Sequence, residues 1–308
     1  MLSPDRMSHA RAQADAVIPP DLVLYHAECA DGFGAAWALW KRFPAAHYLP
    51  VKHGQPPPHG LAGRHIMILD FSYPRAILTA VAQESASLLV LDHHITAEHA
   101  LTGLPFARFD QKKSGAVMAW EWAHTDPVPW LLQYVQDKDL WHWALPASRE
   151  INAALASYPF DFHVWDGLRQ ETLQAEGRAI LRYENELVDK LAKEAVLVSF
   201  HGETVPAVQS AVLTSQIGER LSRHHPFCLI WHDRDGRRYF SLRSRADGPD
   251  VASVATAYGG GGHTHAAGFS VPLGSKTSSP LAPIPQPDTP PAKSTRAPKP
   301  SRKRTRRR

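Results

Sequence analysis

The sequence predicts an α/β protein: a doubly wound parallel sheet followed by a smaller α/β unit with a mixed sheet. Three observations lead there. Leu22-Val23-Leu24-Tyr25, Ile66-Met67-Ile68-Leu69 and Leu88-Leu89-Val90-Leu91 are short continuous apolar runs, the pattern of strands buried on both faces. Stretches of helical spacing lie between them, and that alternation is what a parallel sheet requires. Each apolar run also ends in Asp or His: His26 with Asp31, Asp70, and Asp92-His93-His94. In open α/β sheets, ligands sit at the carboxyl ends of the strands.

The elements follow in order. Asp21 to Tyr25 reads as the first strand, and Gly32 to Phe43 as a helix with Phe33, Ala36, Trp37 and Trp40 at helical spacing. Gln55-Pro56-Pro57-Pro58-His59-Gly60 is a loop. Ile66 to Asp70 is a strand, and Pro74 to Gln83 is a helix with Pro in its first turn. Leu88 to Asp92 is the central strand, Phe106 to Phe109 a further one, and Ser114 to Ala123 a helix with a Ser N-cap. The stretch from Trp130 has helical period up to Val135 and then carries two acids, Asp137 and Asp139. Glu171 to Glu194 is a long charged helix with Leu173, Ile180, Leu187 and Leu191 on one side. Strand-like runs resume at 196–200, 205–208, 227–231 and 239–243, with a helix at 214–223 between them.

A run of four glycines, Gly259 to Gly262, leads into His263-Thr264-His265-Ala266-Ala267-Gly268-Phe269. Four glycines oppose regular structure and expose backbone N–H groups. A small-residue helix starting just after them would add its positive end, making a cradle for an anion.

The expected organisation is a leader at 1–19, a first domain at 20–170, a connector helix at 171–195, a second domain at 196–274 and a basic tail at 275–308. A chain of 308 residues is long enough for two domains. No apolar run approaches the roughly 18 residues of a membrane span, and the first residues lack an apolar signal core, so a cytoplasmic location is expected. The two cysteines, Cys29 and Cys228, are too few for a disulfide framework. From Lys276 to Arg308 the net charge is +9 against +4 for the whole chain, which leaves −5 on residues 1–275. The expected folded part is acidic and argues against a broad nucleic-acid face. The compositionally biased tail is expected to be disordered and to contact polyanions non-specifically or to stay solvated.

Asp and neutral His are borderline ligands suited to Mn²⁺, Zn²⁺ or Fe²⁺. Three strand ends carrying them make a metal crevice the economical explanation. Here the chain resembles the DHH-family phosphoesterases with a C-terminal DHHA1-type domain, over roughly residues 20–272. The resemblance rests on the order and spacing of His26…Asp31, Asp70, Asp92-His93-His94, the acid near residue 137 and the glycine run before His263.

The resemblance implies a metal-dependent phosphoesterase. His26 and Asp70 would hold one ion. Asp31, Asp70, His93 and Asp137 would hold the other, with Asp139 the alternative to Asp137. Asp92 would orient the imidazoles and His94 would face the substrate phosphate. In the second domain, Gly260, Gly261, Gly262, His263 and Arg243 would bind substrate; a guanidinium fork suits phosphate. The implied cofactor is a divalent cation, Mn²⁺ foremost, with two ions expected and one possible. Cys29 stands where family members carry an Asp, which puts the first metal position in doubt, because a thiolate matches Zn²⁺ or Fe²⁺ better than Mg²⁺ or Mn²⁺. Glu28 is a nearby substitute.

The implied substrates are nucleotides, short oligonucleotides and cyclic dinucleotides, with pyrophosphate less favoured. The alternative is a metal- and nucleotide-binding protein of the same fold with weakened catalysis. Phe33, Tyr73 and Trp141 lie beside the motifs and are either core residues or platforms for a base.

Overall fold

In the computed structural model, residues 18–52 and 54–274 are described. The basic tail and nearly all of the leader lie outside them. Five parallel strands form the first sheet: β1 (Leu22–His26), β2 (His47–Val51), β3 (His65–Leu69), β4 (Ser87–Asp92) and β5 (Ala107–Phe109), in the order β2-β1-β3-β4-β5. Alternate residues along a strand face opposite sides. Val23, Met67, Leu69 and Leu91 therefore pack on one face, beneath α1 (Ala30–Trp40), α4 (Gly115–Ala123), α5 (Trp130–Asp139) and α6 (Ser148–Leu155). Leu22, Leu24, Ile66, Ile68, Leu88 and Val90 pack on the other, under α2 (Arg75–Glu84) and α3 (Ile95–Leu101). Full burial of each such side chain is worth about 1.5–3 kcal/mol. The sheet is thus doubly wound, as the sequence predicts. The Ser114 hydroxyl caps α4 by accepting from Val117 N.

A short α7 (Phe162–Asp166) and the long α8 (Gln170–Lys193) lead to the second sheet. It contains β6 (Val196–Phe200), β7 (Glu203–Gln209), β8 (Phe227–Arg234), β9 (Arg237–Ser244), β10 (Gly261–His263) and β11 (Ala266–Pro272), with α9 (Thr214–Leu221) and α10 (Val251–Thr256). Its order is β10-β11-β9-β8-β7-β6, antiparallel except where β7 meets β8. This is the expected mixed sheet.

Two expectations fail. β2 escapes the sequence reading because His47-Tyr48-Leu49-Pro50-Val51 is a sheet-edge strand containing Pro, which weakens its strand pattern. The helix expected after the glycine run is a β-hairpin instead: Gly261, Gly262 and His263 pair with Gly268, Ala267 and Ala266. Ala267, Phe269 and Val271 are buried at alternate positions of β11, so period-2 burial against β9 overrides the helical propensity of the alanines. Among the described residues, no helix is long and apolar enough to cross a membrane.

Candidate metal centre

The carboxyl ends of β1, β3 and β4 converge. Asp70 directly follows β3 in a left-handed conformation (φ 60°). One oxygen, Oδ2, lies 3.3 Å from His26 Nδ1 and the other, Oδ1, lies 3.1 Å from His93 Nε2. His93 Nε2 also lies 3.5 Å from Asp31 Oδ2 and 3.5 Å from Asp139 Oδ2. Asp31, Asp70 and His93 are each only 1% exposed.

Helix ends hold these groups. Asp31, in the first turn of α1, accepts hydrogen bonds from Gly115 N (2.6 Å) and Ala116 N (3.0 Å) at the start of α4. A Cβ on Gly115 would stand 2.7 Å from Asp70 Cβ, so only glycine allows this approach. One oxygen of Asp92 accepts from His93 N (2.7 Å) and His94 N (3.1 Å) and lies 2.8 Å from His94 Nδ1. Asp92 thereby fixes the backbone of both histidines and the imidazole of His94.

The electrostatics show a surplus of negative charge. Burial, together with the Asp70 and Asp139 carboxylates, pushes the Asp31 carboxyl well above the usual range. Burial and Asp70 raise Asp139 as well. Burial also acts on Asp70, but hydrogen bonds from His26 and His93 outweigh it and hold that carboxyl well below the usual range. Burial would lower His93, yet Asp70 and Asp139 carry it to about 10. Buried oxygens of Asp139 (Oδ2) and Asp92 (Oδ2) and His93 Nδ1 have no hydrogen-bond partner.

This donor set fits divalent cations. Ligand atoms of Asp31, Asp70 and His93 lie within 4.8 Å of one another, as do those of His26, Asp70 and His94. Asp70 belongs to both groups. A third group joins His93 and His94 to His263.

The expected residues distribute as follows. His26, Asp31, Asp70, Asp92, His93 and His94 come together. Asp137 does not join them: its Oδ1 accepts from Ala144 N (2.9 Å) and its Oδ2 from Leu145 N (3.2 Å), tying down the loop after α5. Asp139, the alternative, reaches the cluster. Positions two apart on a helix are rotated by roughly 200°, so the helix that buries Leu131, Leu132 and Val135 turns only one of these acids toward His93. Cys29 is the N-cap residue of α1 and belongs to none of the three groups. Burial and the charges of Asp70, Asp139 and Asp31 raise its thiol well above the ordinary value. Glu28 turns outward to Lys52 Nζ, 2.5 Å away.

From the mixed sheet, His263 stacks on His94 with ring centroids 4.5 Å apart and 22° between planes, and lies 4.9 Å from the His93 ring. Burial, then the charges of His94 and His93, push it down to about 3. The glycines serve close packing: Gly262 N donates to Thr96 Oγ1 on α3 (3.3 Å), and a Cβ on Gly261 would meet that oxygen at 3.0 Å. Gly260 is equally confined, since a Cβ there would stand 2.1 Å from Gly268 O. The predicted cradle built on a following helix is therefore absent. Arg243 hydrogen-bonds to Leu242 O (2.8 Å) and Ser215 Oγ (3.0 Å), not to the cluster. It shares a register row with His263, through Ala266. Sequence reasoning missed Gly115 and Thr96; the Ser-Gly start of α4 was the one visible hint of the first.

No family model matches the chain. The uncharacterized protein R106 of Acanthamoeba polyphaga mimivirus is 30% identical over 282 residues, covering 81% of this chain and 67% of that protein. Oligoribonuclease NrnB of Bacillus subtilis (strain 168) is 31% identical over 112 residues, 36% of this chain and 27% of NrnB. The chain thus spans about two thirds of the first and just over a quarter of the second. Among solved structures, RecJ from Thermus thermophilus in complex with Mn²⁺ aligns with a TM-score of 0.45 at 15% identity, covering 86% of this chain and 51% of RecJ. The DHH domain of PF0399 aligns with a TM-score of 0.41 at 10% identity, covering 81% of this chain and 82% of that one. The chain belongs to the same family as R106, and its Asp-His-His motif at the end of the central strand, with partner Asp and His residues gathered around it, resembles the DHH family.

Proposed function

We propose that this protein is a divalent-metal-dependent phosphoesterase acting on nucleotides, short oligonucleotides or cyclic dinucleotides. The observation that carries this is Asp70, whose two oxygens face His26 on one side and His93 on the other, with Asp31 and Asp139 close to His93. In this proposal His26 and Asp70 hold one ion, and Asp31, Asp70, His93 and Asp139 hold the other. Mn²⁺ suits the oxygen and imidazole donors. A bound pair of such ions supplies a nucleophile at neutral pH and neutralises charge on phosphoryl oxygens.

The chain's own groups do the rest. Asp92 orients His93 and His94. His94 donates to a phosphate oxygen or the leaving group. The mixed-sheet part acts as a DHHA1-type substrate-binding lobe, with His263 over the cluster and Arg243 along the same row of the sheet. Two strand spacings separate them, about 10 Å, so Arg243 would serve the remote end of a longer substrate.

NrnB is named an oligoribonuclease. That activity belongs to NrnB and agrees with the substrate class proposed here. Cys29 favours a second reading, a nucleotide-binding protein with one metal position weakened. Purified protein with Mn²⁺ should hydrolyse a dinucleotide, and EDTA should stop it. No turnover with Mn²⁺, Mg²⁺, Co²⁺, Zn²⁺ or Fe²⁺ across a panel of phosphodiesters would favour the binding protein.

A further inference from the structure

Phe33, Tyr73 and Trp141 lie near the motifs in sequence, and their exposures separate them. Phe33 and Tyr73 are 2% and 5% exposed and belong to the core. Trp141 is 40% exposed and stands two residues beyond Asp139. An exposed indole two residues from a carboxylate of the buried cluster has a position that core packing does not explain.

The segment carrying Trp141 is firmly built. Trp141 N donates to Lys138 O (2.9 Å), and the amides of His142 and Trp143 both donate to Asp137 O (2.8 and 3.3 Å). Trp141 and Trp143 both adopt left-handed backbone conformations, φ 59° and 52°, which bulky residues hold only where the surroundings impose them. Trp143 meets the Trp141 ring edge to face, with centroids 5.0 Å apart and 74° between planes. Behind it, Arg149 lies over the Trp143 ring at 4.3 Å. Two hydrogen bonds of 2.9 and 2.8 Å tie Arg149 to Glu219 on α9, in the other lobe. The exposed indole is therefore held by a chain of contacts that runs from the first lobe to helix α9 of the second.

We infer that Trp141 is a stacking platform for a nucleobase whose phosphate lies at the Asp–His cluster. This rests on the phosphoesterase proposal and specifies which part of the substrate supplies affinity. Residues 1–275 carry a net charge of −5, so backbone electrostatics offer little attraction to a nucleotide. Arg149 is engaged with Glu219 and Trp143. Stacking is sequence-tolerant, because every base has a π-face. The platform thus selects nucleotides over plain phosphoesters without choosing among bases.

The test is equilibrium binding to the full chain in Mn²⁺, measured by calorimetry with 5′-AMP, 5′-UMP and ribose 5-phosphate. Trp141→Ala should weaken both nucleotides about 5- to 150-fold, the range of base–aromatic stacking. It should leave ribose 5-phosphate binding and metal content unchanged. Trp141→Phe should retain most of the nucleotide affinity and serves as the folded aromatic control. Wild-type nucleotide affinity in Trp141→Ala, or equal losses for nucleotides and ribose 5-phosphate, would overturn the inference. If wild-type protein binds nucleotides more tightly than the sugar phosphate, through Trp141, yet hydrolyses no phosphodiester, stacking stands and the phosphoesterase proposal falls. Wild-type protein that binds neither class overturns both.

Discussion

His263 of the mixed-sheet lobe lies almost flat on His94 of the parallel-sheet lobe, 4.5 Å between ring centroids. The contact brings the glycine hairpin onto the Asp–His cluster, and α3 is its seat, through Thr96 and Gly262. Under the proposed function, substrate positioning and chemistry would therefore fall at one contact between the two lobes.

His263→Ala should reduce kcat/KM for a dinucleotide and for a small artificial phosphodiester alike, because its ring touches the His pair. Arg243→Ala should hurt the dinucleotide and spare the small substrate, since loss of remote positioning affects only ligands that reach it. Steady-state kinetics of both variants on both substrates decide this. A small-substrate rate untouched in His263→Ala would restore a purely remote role for the loop.

Asp70→Ala should lose most bound metal and nearly all activity while keeping the wild-type circular dichroism spectrum. Asp70 is the carboxylate common to both ligand groups. Wild-type metal content by elemental analysis would refute the bridging assignment.

Asp137 and Asp139 should fail in different ways. Asp139→Ala should cost metal and activity. Asp137→Ala should cost stability instead, about 1–3 kcal/mol for two loop amides left without their acceptor. Thermal melts beside metal analysis separate the two. The reverse pattern would return Asp137 to the metal centre.

Gly115→Ala should behave as a site mutation although glycine offers no ligand. Its methyl group would stand 2.7 Å from Asp70 Cβ, and displacement of about 1 Å can cost roughly 100-fold in rate. An alanine variant with wild-type metal affinity and turnover would contradict the close packing.

Metal binding should release protons near neutral pH. Without metal, burial and neighbouring carboxylates raise Asp31 and Asp139, and Asp70 with Asp139 holds His93 protonated up to about 10. Ligands must lose those protons to bind a cation, so affinity should rise with pH through this range. For folding without metal, the pH windows differ between the groups. Raised Asp31 and Asp139 favour the folded state below the unfolded carboxylate pKa, and that contribution fades as pH rises through their folded values. His93 contributes stability below about 6.5, lost as pH climbs through about 10. Calorimetry in buffers of different ionisation enthalpy measures the released protons; none released would contradict these protonation states.

Much of this protein is legible in one dimension. Continuous apolar runs at β1, β3 and β4 announce strands buried on both faces. A strand ends where its apolar run ends, so His26, Asp70 and Asp92-His93-His94 could be assigned to one end of a sheet from sequence alone. What remained open depends on rotation and on long-range contact. Whether Asp137 or Asp139 meets His93 is set by the way α5 packs Leu131, Leu132 and Val135, a rotation that the spacing of two acids does not encode. The glycine run became a hairpin because β9 offered an antiparallel partner to Ala267, Phe269 and Val271. His263 meets His94 only because two sheets far apart in the chain close on one another. Local pattern determined which residues stand at strand ends; packing between elements decided which of them touch, because each side chain's direction is settled by the surface that buries its neighbours.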